Sequence, residues 1–417
     1  MKHIAYLKNT IQEYVWGSRT AIPELMGQPS PADQPQAELW MGAHPKAPSF
    51  VQIDNDWSSL ADLIHEYPVD ILGQWVAEKY HATLPYLFKV LAAAEPLSVQ
   101  AHPGLDAAKA GYAREERSNI PFNAPERNYK DPNHKPECLC ALTSFWGLCG
   151  FRRVSEAYSL LSRLCPDSLG DTLCLLEKNT QANGMQTFFQ TIMGMRPQNQ
   201  TQVVREAVRH AKSIKRKAPE YDWVIKLNHT YPSDIGVIFP AILNLVHLEP
   251  GQALFLGPGE LHAYLKGVGI EIMANSDNVL RGGLTSKHRD ADELMRILSF
   301  EEKAVDILLP ENRDNHIGSY RTPAREFELS VISLGVGDVH MGPVDRNVEI
   351  LFCTAGEHSI TDAGSRRTLR IASGASVLIP AAVPGYTING QGIIYKAAVP
   401  MPNRYRNRNR ETTPQNG

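Results

Sequence analysis

The chain has 417 residues, of which 43% are hydrophobic and 21% are charged, values that are ordinary for globular proteins and exclude wholesale disorder. Lys and Arg number 42 against 45 Asp and Glu, so the formal net charge is -3 and nothing in it indicates a nucleic-acid coat or a polyacidic partner. At roughly 150 residues per domain, the length allows two or three domains.

No segment of the sequence resembles a secretory signal or a membrane span. Residues 1–17 lack a continuous apolar core and a cleavage site. The longest apolar stretch, Val237–Leu248, is interrupted by Pro240, Asn244 and His247, and it is too short to cross a bilayer. Six cysteines are too few to form a disulfide framework in a chain of this length, so we expect a reduced, cytoplasmic compartment.

Residues 1–151 mix short strands with short helices. The hydrophobic spacing predicts small helices at Trp57–His65 and Val69–Lys79 and a longer helix at Asp106–Arg117. Short apolar runs next to Pro residues predict buried strands, which are Leu84–Leu91, Leu97–Ala101 and Pro136–Gly147.

The composition changes near residue 152, where apolar residues begin to repeat at helical spacing. The first such group is Ala157, Leu160, Leu161 and Leu164, and the last is Val204, Ala207, Val208 and Ala211. Residues 152–231 are therefore predicted to form an all-helical domain.

Strand patterns return at Ile235 and dominate the rest of the chain. One helix is predicted at Asp290–Leu298, and residues 325–400 are predicted to be purely β because short apolar runs alternate with Gly-containing turns. From Pro402 onwards, four arginines stand among Asn residues, and this tail is too polar to pack, so we expect it to be disordered.

Two segments indicate jelly rolls of the cupin type. Gly251–His262 (GQALFLGPGELH) combines a strand, a tight Pro-Gly turn and a His that begins the next strand, and it resembles a conserved cupin motif. Gly374–Pro380 and Glu349–Gly356 repeat parts of this pattern without the His residues. We therefore expect a second jelly roll that has no metal site.

Four residues could close around a divalent metal. Gln100 and His102 alternate along one predicted strand and so face the same side, Glu137 lies in NHKPECLC, and His262 follows the Pro-Gly turn. Two imidazoles, a carboxylate and an amide suit zinc, and catalysis needs an open coordination position. Gln is an unusual ligand. Because it is neutral, it leaves the ion a stronger Lewis acid.

Alternative interpretations of these residues stay open. A His in a strand is more often a satisfied core or surface residue than a ligand. Cys138 and Cys140 could serve as soft ligands, but they lie on the face opposite Glu137, where plain core packing is the simpler interpretation. His44, in the segment GAHP, is a further candidate ligand.

A second polar cluster spans residues 271–287. Glu271 and Asp277 could supply a general base, and Arg281 and Lys287 could stabilise an oxyanion or hold a phosphate. The simpler alternative is a solvated loop held by salt bridges.

Seven segments closely resemble the type I mannose-6-phosphate isomerase (phosphomannose isomerase) family, and they span most of the first 290 residues in the family's order. The segments are NTIQEYVWG (Asn9–Gly17), AELWMGAHP (Ala37–Pro45), LPYLFKVL (Leu84–Leu91), PLSVQAHP (Pro96–Pro103), NHKPE (Asn133–Glu137), GELHAYLKG (Gly259–Gly267) and IEIMANSDNVLRGGLTSK (Ile270–Lys287). The C-terminal part matches more loosely, and the Arg/Asn tail is not part of the family pattern.

The resemblance implies one Zn²⁺ per chain and a set of site residues. The implied ligands are the four candidates above: Gln100, His102, Glu137 and His262. It also implies that Arg281 is essential for catalysis, that Ser98 and Lys135 contact the phosphate, and that Lys89, Glu271 and Lys287 occupy other active-site positions.

The fold that follows is mainly β with an α insertion: two cupin-type jelly rolls plus an inserted all-helical domain. The boundaries are 1–151 with 232–310 for a discontinuous catalytic jelly roll, 152–231 for the helical domain, 311–401 for a C-terminal jelly roll without a metal site, and 402–417 for the tail.

The implied reaction interconverts mannose 6-phosphate and fructose 6-phosphate through a cis-enediol. Glu271 is our first choice for the base, and Lys89 and a metal-bound water stay open as alternatives. Arg281 would balance charge on the enediolate, and Lys135, Lys287 and Ser98 suit a dianionic phosphate.

Three other classes of function account for fewer of these residues. A non-catalytic, regulatory cupin that binds sugar phosphate would not need Glu271 and Arg281. A cupin oxygenase favours iron with a His-rich ligand set, and a nucleic-acid role would rest on the arginines of the tail alone. We expect a monomer that takes a small sugar phosphate and binds neither nucleic acid nor a membrane.

Overall fold

The computed structural model describes residues 2–178, 182–214, 218–314 and 316–401. The predicted disordered tail, residues 402–417, lies outside the described residues. Within these ranges, no helix has both the length and the apolar character that a bilayer crossing needs.

Short strands and helices alternate before the helical insertion. They are β1 (Ala5–Lys8), β2 (Thr10–Gln12), α1 (Ala21–Leu25), β3 (Glu38–Gly42), β4 (Phe50–Ile53), β5 (Asp56–Ser59), α2 (Leu60–Glu66), α3 (Pro68–Leu72), α4 (Gln74–Lys79), β6 (Tyr86–Ala93), β7 (Val99–Ala101), α5 (Leu105–Arg117), β8 (Glu137–Ala141) and β9 (Phe145–Phe151). The predicted helix at Asp106–Arg117 is confirmed, and so are the predicted strands at Leu84–Leu91 and Leu97–Ala101, with ends shifted by about two residues.

Three predictions in this part are wrong in detail. The helix predicted at Trp57–His65 begins only at Leu60, because Trp57 pairs with Gln52 in a hairpin and the Ser59 side chain caps the helix. The helix predicted at Val69–Lys79 is two helices, because Gly73 has a φ of 90° and breaks it. The single strand predicted at Pro136–Gly147 is two strands, β8 and β9.

Five helices follow, as predicted for residues 152–231. They are α6 (Val154–Leu164), α7 (Gly170–Lys178), α8 (Ala182–Met193), α9 (Pro197–Ser213) and α10 (Pro219–Thr230). The helically spaced residues Ala157, Leu161, Val204 and Ala207 are buried in one hydrophobic cluster. The next segment, predicted to begin with a strand, is instead a 3₁₀ helix at Ile235–Ala241, whose first turn is capped by the Asp234 carboxylate.

The rest of the described chain is mainly β. Its elements are β10 (Leu243–Leu248), β11 (Ala253–Leu256), β12 (His262–Ala274), β13 (Leu280–Gly283), α11 (Ala291–Ile297), β14 (Ile307–Leu308), β15 (Glu311–Asn312), β16 (Ile317–Tyr320), β17 (Glu328–Leu334), β18 (Val339–Met341), β19 (Glu349–Asp362), β20 (Thr368–Ala372), β21 (Ser376–Ile379) and β22 (Tyr386–Ala398). The helix predicted at Asp290–Leu298 and the β character predicted for residues 325–400 are both confirmed.

The strands form two sheets of 11 strands each. The first sheet contains the path β14-β11-β8-β12-β6-β3-β2 together with β7, β9, β10 and β13. The second contains β15-β16-β17-β22-β19-β21-β1-β4-β5 together with β18 and β20. Because β1, β4 and β5 belong to the second sheet, hydrogen bonds cross the predicted boundary between the jelly rolls, and Ala5 pairs with Leu378. Otherwise the division into domains stays a prediction.

The two sheets pack against each other through a shared apolar core. Phe88, Cys138 and Ile270 of the first sheet lie in one cluster with Ile350 and Phe352 of the second. Alternate residues of the same strands point the other way, into the first jelly roll. Because side chains alternate along each strand, one face of the first sheet forms the apolar interface with the second sheet, and the other face can carry polar groups.

Candidate metal centre

Strands β7, β12 and β13 place three predicted site residues in one row. Gln100 pairs with His262 on one side and with Arg281 on the other. Directly opposed residues of antiparallel strands face the same side of the sheet. The amide, the imidazole and the guanidinium thus project from one face.

The side chains of His102, Glu137 and His262 converge below this row. One ligand atom from each can be chosen so that all three lie within 4.8 Å of one another, and all three residues are buried. The Nε2 atom of His102 is 3.3 Å from Glu137 Oε1, and the Nε2 atom of His262 is 3.5 Å from Glu137 Oε2. This is the only group of three or more such side chains found in the described part of the chain.

The two imidazoles are oriented by backbone carbonyl groups. His102 Nδ1 lies 2.7 Å from the carbonyl oxygen of Asn278, and His262 Nδ1 lies 2.8 Å from that of Glu260. Nε2 of each ring is buried and has no hydrogen-bond partner among the described residues. A ring whose Nδ1–H is held by a carbonyl presents Nε2 as a lone pair, which is the form that binds a metal.

The charge states of these groups also fit a cation. Burial, together with the nearby Lys135, lowers the pKa of His102 to about 4, so the ring is neutral at pH 7. Burial alone would raise the pKa of Glu137, but the Lys135 ammonium and the two imidazoles outweigh it and hold that pKa well below its usual value. Neutral imidazoles and an ionised carboxylate are the forms that zinc requires.

The Pro-Gly turn that precedes His262 is also present. Gly259 has a φ of 74°, and its N–H donates to the carbonyl oxygen of His102 over 2.8 Å. A Cβ at Gly259 would lie 2.4 Å from the carbonyl oxygen of Ile297. Only glycine therefore fits this turn, which ties the segment before His262 to the other imidazole.

A buried polar triad adjoins the metal cluster. Lys89 Nζ donates to Glu271 Oε2 over 2.9 Å, and Tyr264 Oη donates to Glu271 Oε1 over 2.9 Å. Tyr264 Oη is also 3.5 Å from Glu137 Oε2, so it links Glu271 to a candidate ligand. Burial raises the pKa of Glu271, although the Lys89 ammonium opposes that rise.

The remaining predicted residues take different positions. Lys135, predicted to contact phosphate, is buried with its Nζ 2.8 Å from Glu137 Oε1. Arg281 is partly buried, Lys287 is exposed, and the Arg281 guanidinium contributes to lowering the pKa of Lys287, after burial. Among the described residues, no carboxylate contributes to the pKa shift of either cation. Ser98 is half-buried just before β7.

Three open candidates from the sequence are not members of the metal cluster. His44 Nε2 is 3.6 Å from Asp277 Oδ1, and Lys46 Nζ is 2.9 Å from Asp277 Oδ2, so Asp277 is engaged by both side chains. Cys138 and Cys140 are free thiols in the apolar core between the sheets, as the simpler interpretation predicted.

Two residues of the site were missed by the sequence reasoning. Tyr264 lies two residues after His262 on the same strand, which was a usable signal. Asn278 is buried, its side chain binds the backbone of Lys130, Asp131 and Asn133, and its carbonyl holds His102. Asn278 lies in the motif SDNVLRGG, but nothing in the local pattern showed that its side chain hydrogen-bonds to the loop leading to Glu137.

Comparisons with known proteins find relatives that match most of the chain. The family model "Phosphomannose isomerase type I, catalytic domain" matches residues 4–154. Mannose-6-phosphate isomerase of Escherichia coli (strain K12) is 38% identical over 389 residues, which cover 93% of this chain and 97% of that protein. The Homo sapiens protein of the same name is 34% identical over 356 residues, 78% of this chain and 80% of that protein.

Solved structures show the same likeness. Mannose 6-phosphate isomerase bound with zinc and yttrium aligns with a TM-score of 0.88 and 35% identity, over 95% of this chain and 100% of that chain. A variant of phosphomannose isomerase from Salmonella typhimurium aligns with a TM-score of 0.87 and 34% identity over the same shares. The mainly β fold with inserted helices is thereby confirmed, and the chain belongs to the type I phosphomannose isomerase family.

Proposed function

We propose that this protein is a zinc-dependent aldose–ketose isomerase that interconverts mannose 6-phosphate and fructose 6-phosphate. The observation that carries the proposal is the buried His102, Glu137 and His262 cluster, whose two imidazole Nε2 atoms have no hydrogen-bond partner among the described residues. The names of the relatives and the zinc in a similar solved structure support it.

One zinc ion per chain would be held by Gln100, His102, Glu137 and His262. When bound, it would supply a Lewis acid that stabilises negative charge on the substrate oxygens near C1 and C2. Three protein atoms come from imidazoles and a carboxylate, and the fourth comes from a neutral amide, so less of the ion's charge is neutralised than by a second carboxylate.

Glu271 is the proposed base. Its carboxylate takes the proton from C2, the electron pair of that bond forms the C1–C2 double bond, and the aldehyde oxygen takes up a proton, which gives the cis-enediol. Return of the proton to C1, with loss of the O2 hydroxyl proton, gives the ketose. Burial raises the pKa of Glu271, which makes it a stronger base than an exposed carboxylate.

Lys89 and Tyr264 hold the base in place. Each donates a hydrogen bond to a different oxygen of Glu271, so the carboxylate is oriented before substrate binds. Lys89 itself stays an alternative base. However, its pKa is raised, since the carboxylates of Glu271 and Glu38 outweigh the effect of burial, and a protonated amine cannot accept the C2 proton.

Cations around the row of Gln100 fit the charge of the substrate. Arg281 stands beside Gln100 and would balance charge on the enediolate. Lys287 and Ser98 would contact the phosphate, with Lys135 nearer to the metal carboxylate. Binding energy from the phosphate would position C1 and C2 for proton transfer.

A turnover assay with an Arg281→Ala variant tests this function. The zinc-loaded protein should convert mannose 6-phosphate to fructose 6-phosphate, and Arg281→Ala should lower kcat about 100-fold or more without changing the zinc content. Arg289→Ala, on the exposed continuation of the same segment, is the matched control and should stay active. No turnover by the zinc-loaded wild type would instead favour the non-catalytic, sugar-phosphate-binding alternative.

We infer in addition a monomer in the cytoplasm that binds neither nucleic acid nor a membrane. All six cysteines are free, and five of them are buried, as suits a reducing compartment. Light scattering of the purified protein measures the oligomeric state directly.

A further inference from the structure

The second jelly roll contains a buried polar triad of the same composition as the one beside the metal cluster. Glu349 is 2% exposed, and it accepts hydrogen bonds from Lys396 Nζ and Tyr386 Oη, each over 2.9 Å. Glu271 likewise accepts from a lysine and a tyrosine, each over 2.9 Å. In both sites a buried carboxylate has each of its oxygens bound by a different donor.

The two triads are built differently. Glu271 and Tyr264 share strand β12, and their lysine comes from the neighbouring strand β6. In the second jelly roll, Lys396 and Tyr386 share strand β22, and their glutamate comes from β19. The likeness is therefore one of chemistry rather than of register. Burial of charged groups costs solvation free energy, so core packing alone does not account for a second such triad inside an apolar barrel.

A cavity of about 700 Å³ lies against the second triad. Its buried lining includes Arg346, Asn347, Glu349 and Lys396, and its more exposed lining includes the Arg313–Glu328 ion pair and Asp345. Cavities of this size hold small organic ligands. The volume is sufficient for a phosphorylated six-carbon sugar.

The buried lining carries more positive than negative charge. Lys396 is paired with Glu349, and the Arg346 Nε atom is 4.0 Å from the same carboxylate, so two cations share one anion. Arg346 directs its other nitrogens to the carbonyl oxygens of Pro380 and Val383. Its side chain is only 3% exposed, so water screens this charge poorly.

Two buried donors in this lining have no acceptor. Within the described residues, neither Nε of Arg346 nor Nδ2 of Asn347 makes a hydrogen bond. A buried donor without an acceptor destabilises the folded protein, because the hydrogen bond it made to water is not replaced. An anion that brought several acceptor oxygens into the cavity would satisfy both donors.

We propose that this cavity is a second binding site, which takes a phosphorylated sugar or sugar alcohol and does not transform it. The phosphate oxygens accept from Arg346 and Asn347 next to Lys396, and the Glu349 carboxylate faces ligand hydroxyl groups. The described residues place their one metal-ligand cluster in the first jelly roll. The second site therefore has the polar contacts of the first without its metal ligands, and it stands independently of the isomerase proposal.

Calorimetric titration of the zinc-loaded protein with glucitol 6-phosphate tests the site, because this probe has a phosphate and hydroxyl groups but no carbonyl to isomerise. We expect two binding events per chain. Asn347→Asp replaces a donor by a carboxylate of the same shape, and it should weaken one event about tenfold or more, the equivalent of about 1.4 kcal/mol. Asn389→Asp, the same change at an exposed position of β22, should weaken neither event.

A second variant changes the affinity in the opposite direction. Glu349→Gln removes the negative charge of the buried carboxylate in this cavity and keeps the side-chain shape and an acceptor oxygen for ligand hydroxyl groups. It should tighten the Asn347-dependent event, because less negative charge then faces the phosphate. It also preserves the test if Asn347→Asp does not fold, which circular dichroism and thermal melting would show. Neither residue belongs to the catalytic machinery, so the isomerase kcat should be unchanged in both variants.

Three results would overturn the proposal. They are no binding event at all, binding events that neither substitution changes, and inorganic phosphate binding at the second site as tightly as glucitol 6-phosphate. The last would show an anion site with no contribution from the sugar. Failure of the isomerase proposal can be distinguished from these results. It would appear as the loss of the binding event that depends on Arg281, while the Asn347-dependent event remained.

Discussion

The two jelly rolls bury the same polar chemistry but differ in what surrounds it. In the first, the Glu271 triad is continuous with His102, Glu137 and His262 through the Tyr264 hydroxyl. In the second, the Glu349 triad adjoins a cavity lined by Arg346 and Asn347. A buried Glu–Lys–Tyr group is therefore compatible with either barrel, and it does not by itself define a catalytic centre.

The turns between strands account for much of the difference. In the first jelly roll, the turn after β11 leads through Gly259 to His262, which begins β12. In the second, the turn after β21 continues with Pro380 and Ala381 and supplies no imidazole. The strands therefore provide the buried carboxylate and its hydrogen-bond partners, while the residues at the strand ends determine whether a metal can bind beside them.

Removal of the metal should have the largest effect and should affect the first jelly roll only. Chelation followed by gel filtration is expected to abolish isomerase activity, and added zinc should restore it. Without the ion, the site between His102 and His262 lacks the positive charge that would stabilise the enediolate. The Asn347-dependent binding of glucitol 6-phosphate should survive chelation. Full activity without any divalent metal would contradict the mechanism.

Replacing the two buried carboxylates compares the triads directly. Glu271→Gln should lower kcat by about 100-fold to 10,000-fold and stop the exchange of the C2 proton with solvent deuterium, since an amide cannot take up the proton. Glu349→Gln should leave both quantities unchanged. Both are measured by a coupled assay and by NMR of the recovered sugar. Rapid exchange in Glu271→Gln would move the base role to Lys89 or to a metal-bound water.

The two lysines should have similar effects on stability and different effects on activity. Lys89→Met and Lys396→Met each remove the nearest cationic partner of a buried carboxylate, which costs about 3–5 kcal/mol in the free energy of unfolding. Urea titration measures this cost. The kcat of the folded protein should fall about 100-fold for Lys89→Met only, because only Lys89 orients the base. Equal losses of kcat would show that the second triad also supports the reaction.

The tyrosines should give the smallest effects. Each Tyr→Phe change removes one hydroxyl from a buried carboxylate and should cost about 1 kcal/mol of stability. Tyr264→Phe should also lower kcat about tenfold with unchanged zinc content, because one oxygen of Glu271 loses its donor. Tyr386→Phe should leave kcat at the wild-type value. A Tyr264→Phe variant with normal kcat would confine this hydroxyl to a structural role.

Much of the candidate site was predictable because short motifs carry it. Gln100 and His102 stand two residues apart in QAHP, and His262 follows a Pro-Gly turn that only glycine fits, so local geometry indicated both positions. The apolar repeat of residues 152–231 likewise predicted the helices, since the period of an amphipathic helix is visible within a few turns.

The contact between Tyr264 and Glu271 was not predictable from strand alternation. Side chains alternate along a regular strand, so residues that are seven positions apart, such as Tyr264 and Glu271, are expected on opposite faces. In the structure, β12 has an irregular register between Tyr264 and Lys266, and Gly267 follows with a φ of 134°. This bulge turns both side chains to one face. No local signal distinguished the glycine of a bulge from the glycine of a turn.

Two features of the fold were not visible in local sequence patterns. The segment between β8 and β9 is Leu142–Ser144, which contains neither Gly nor Pro, so two buried strands looked like one. The placement of β1 in the second sheet depends on residues near the other end of the chain, and local patterns carry no information about such pairing.

The position of β1 has a consequence for biosynthesis. β1 is hydrogen-bonded between β4 and β21, and β21 leaves the ribosome long after β1. β1 must therefore remain without this neighbour while the intervening residues are translated. Native pairings between distant segments form slowly, and an exposed strand edge invites association with other chains. Closure of the second sheet by the newly made carboxyl-terminal strands would end that vulnerable period.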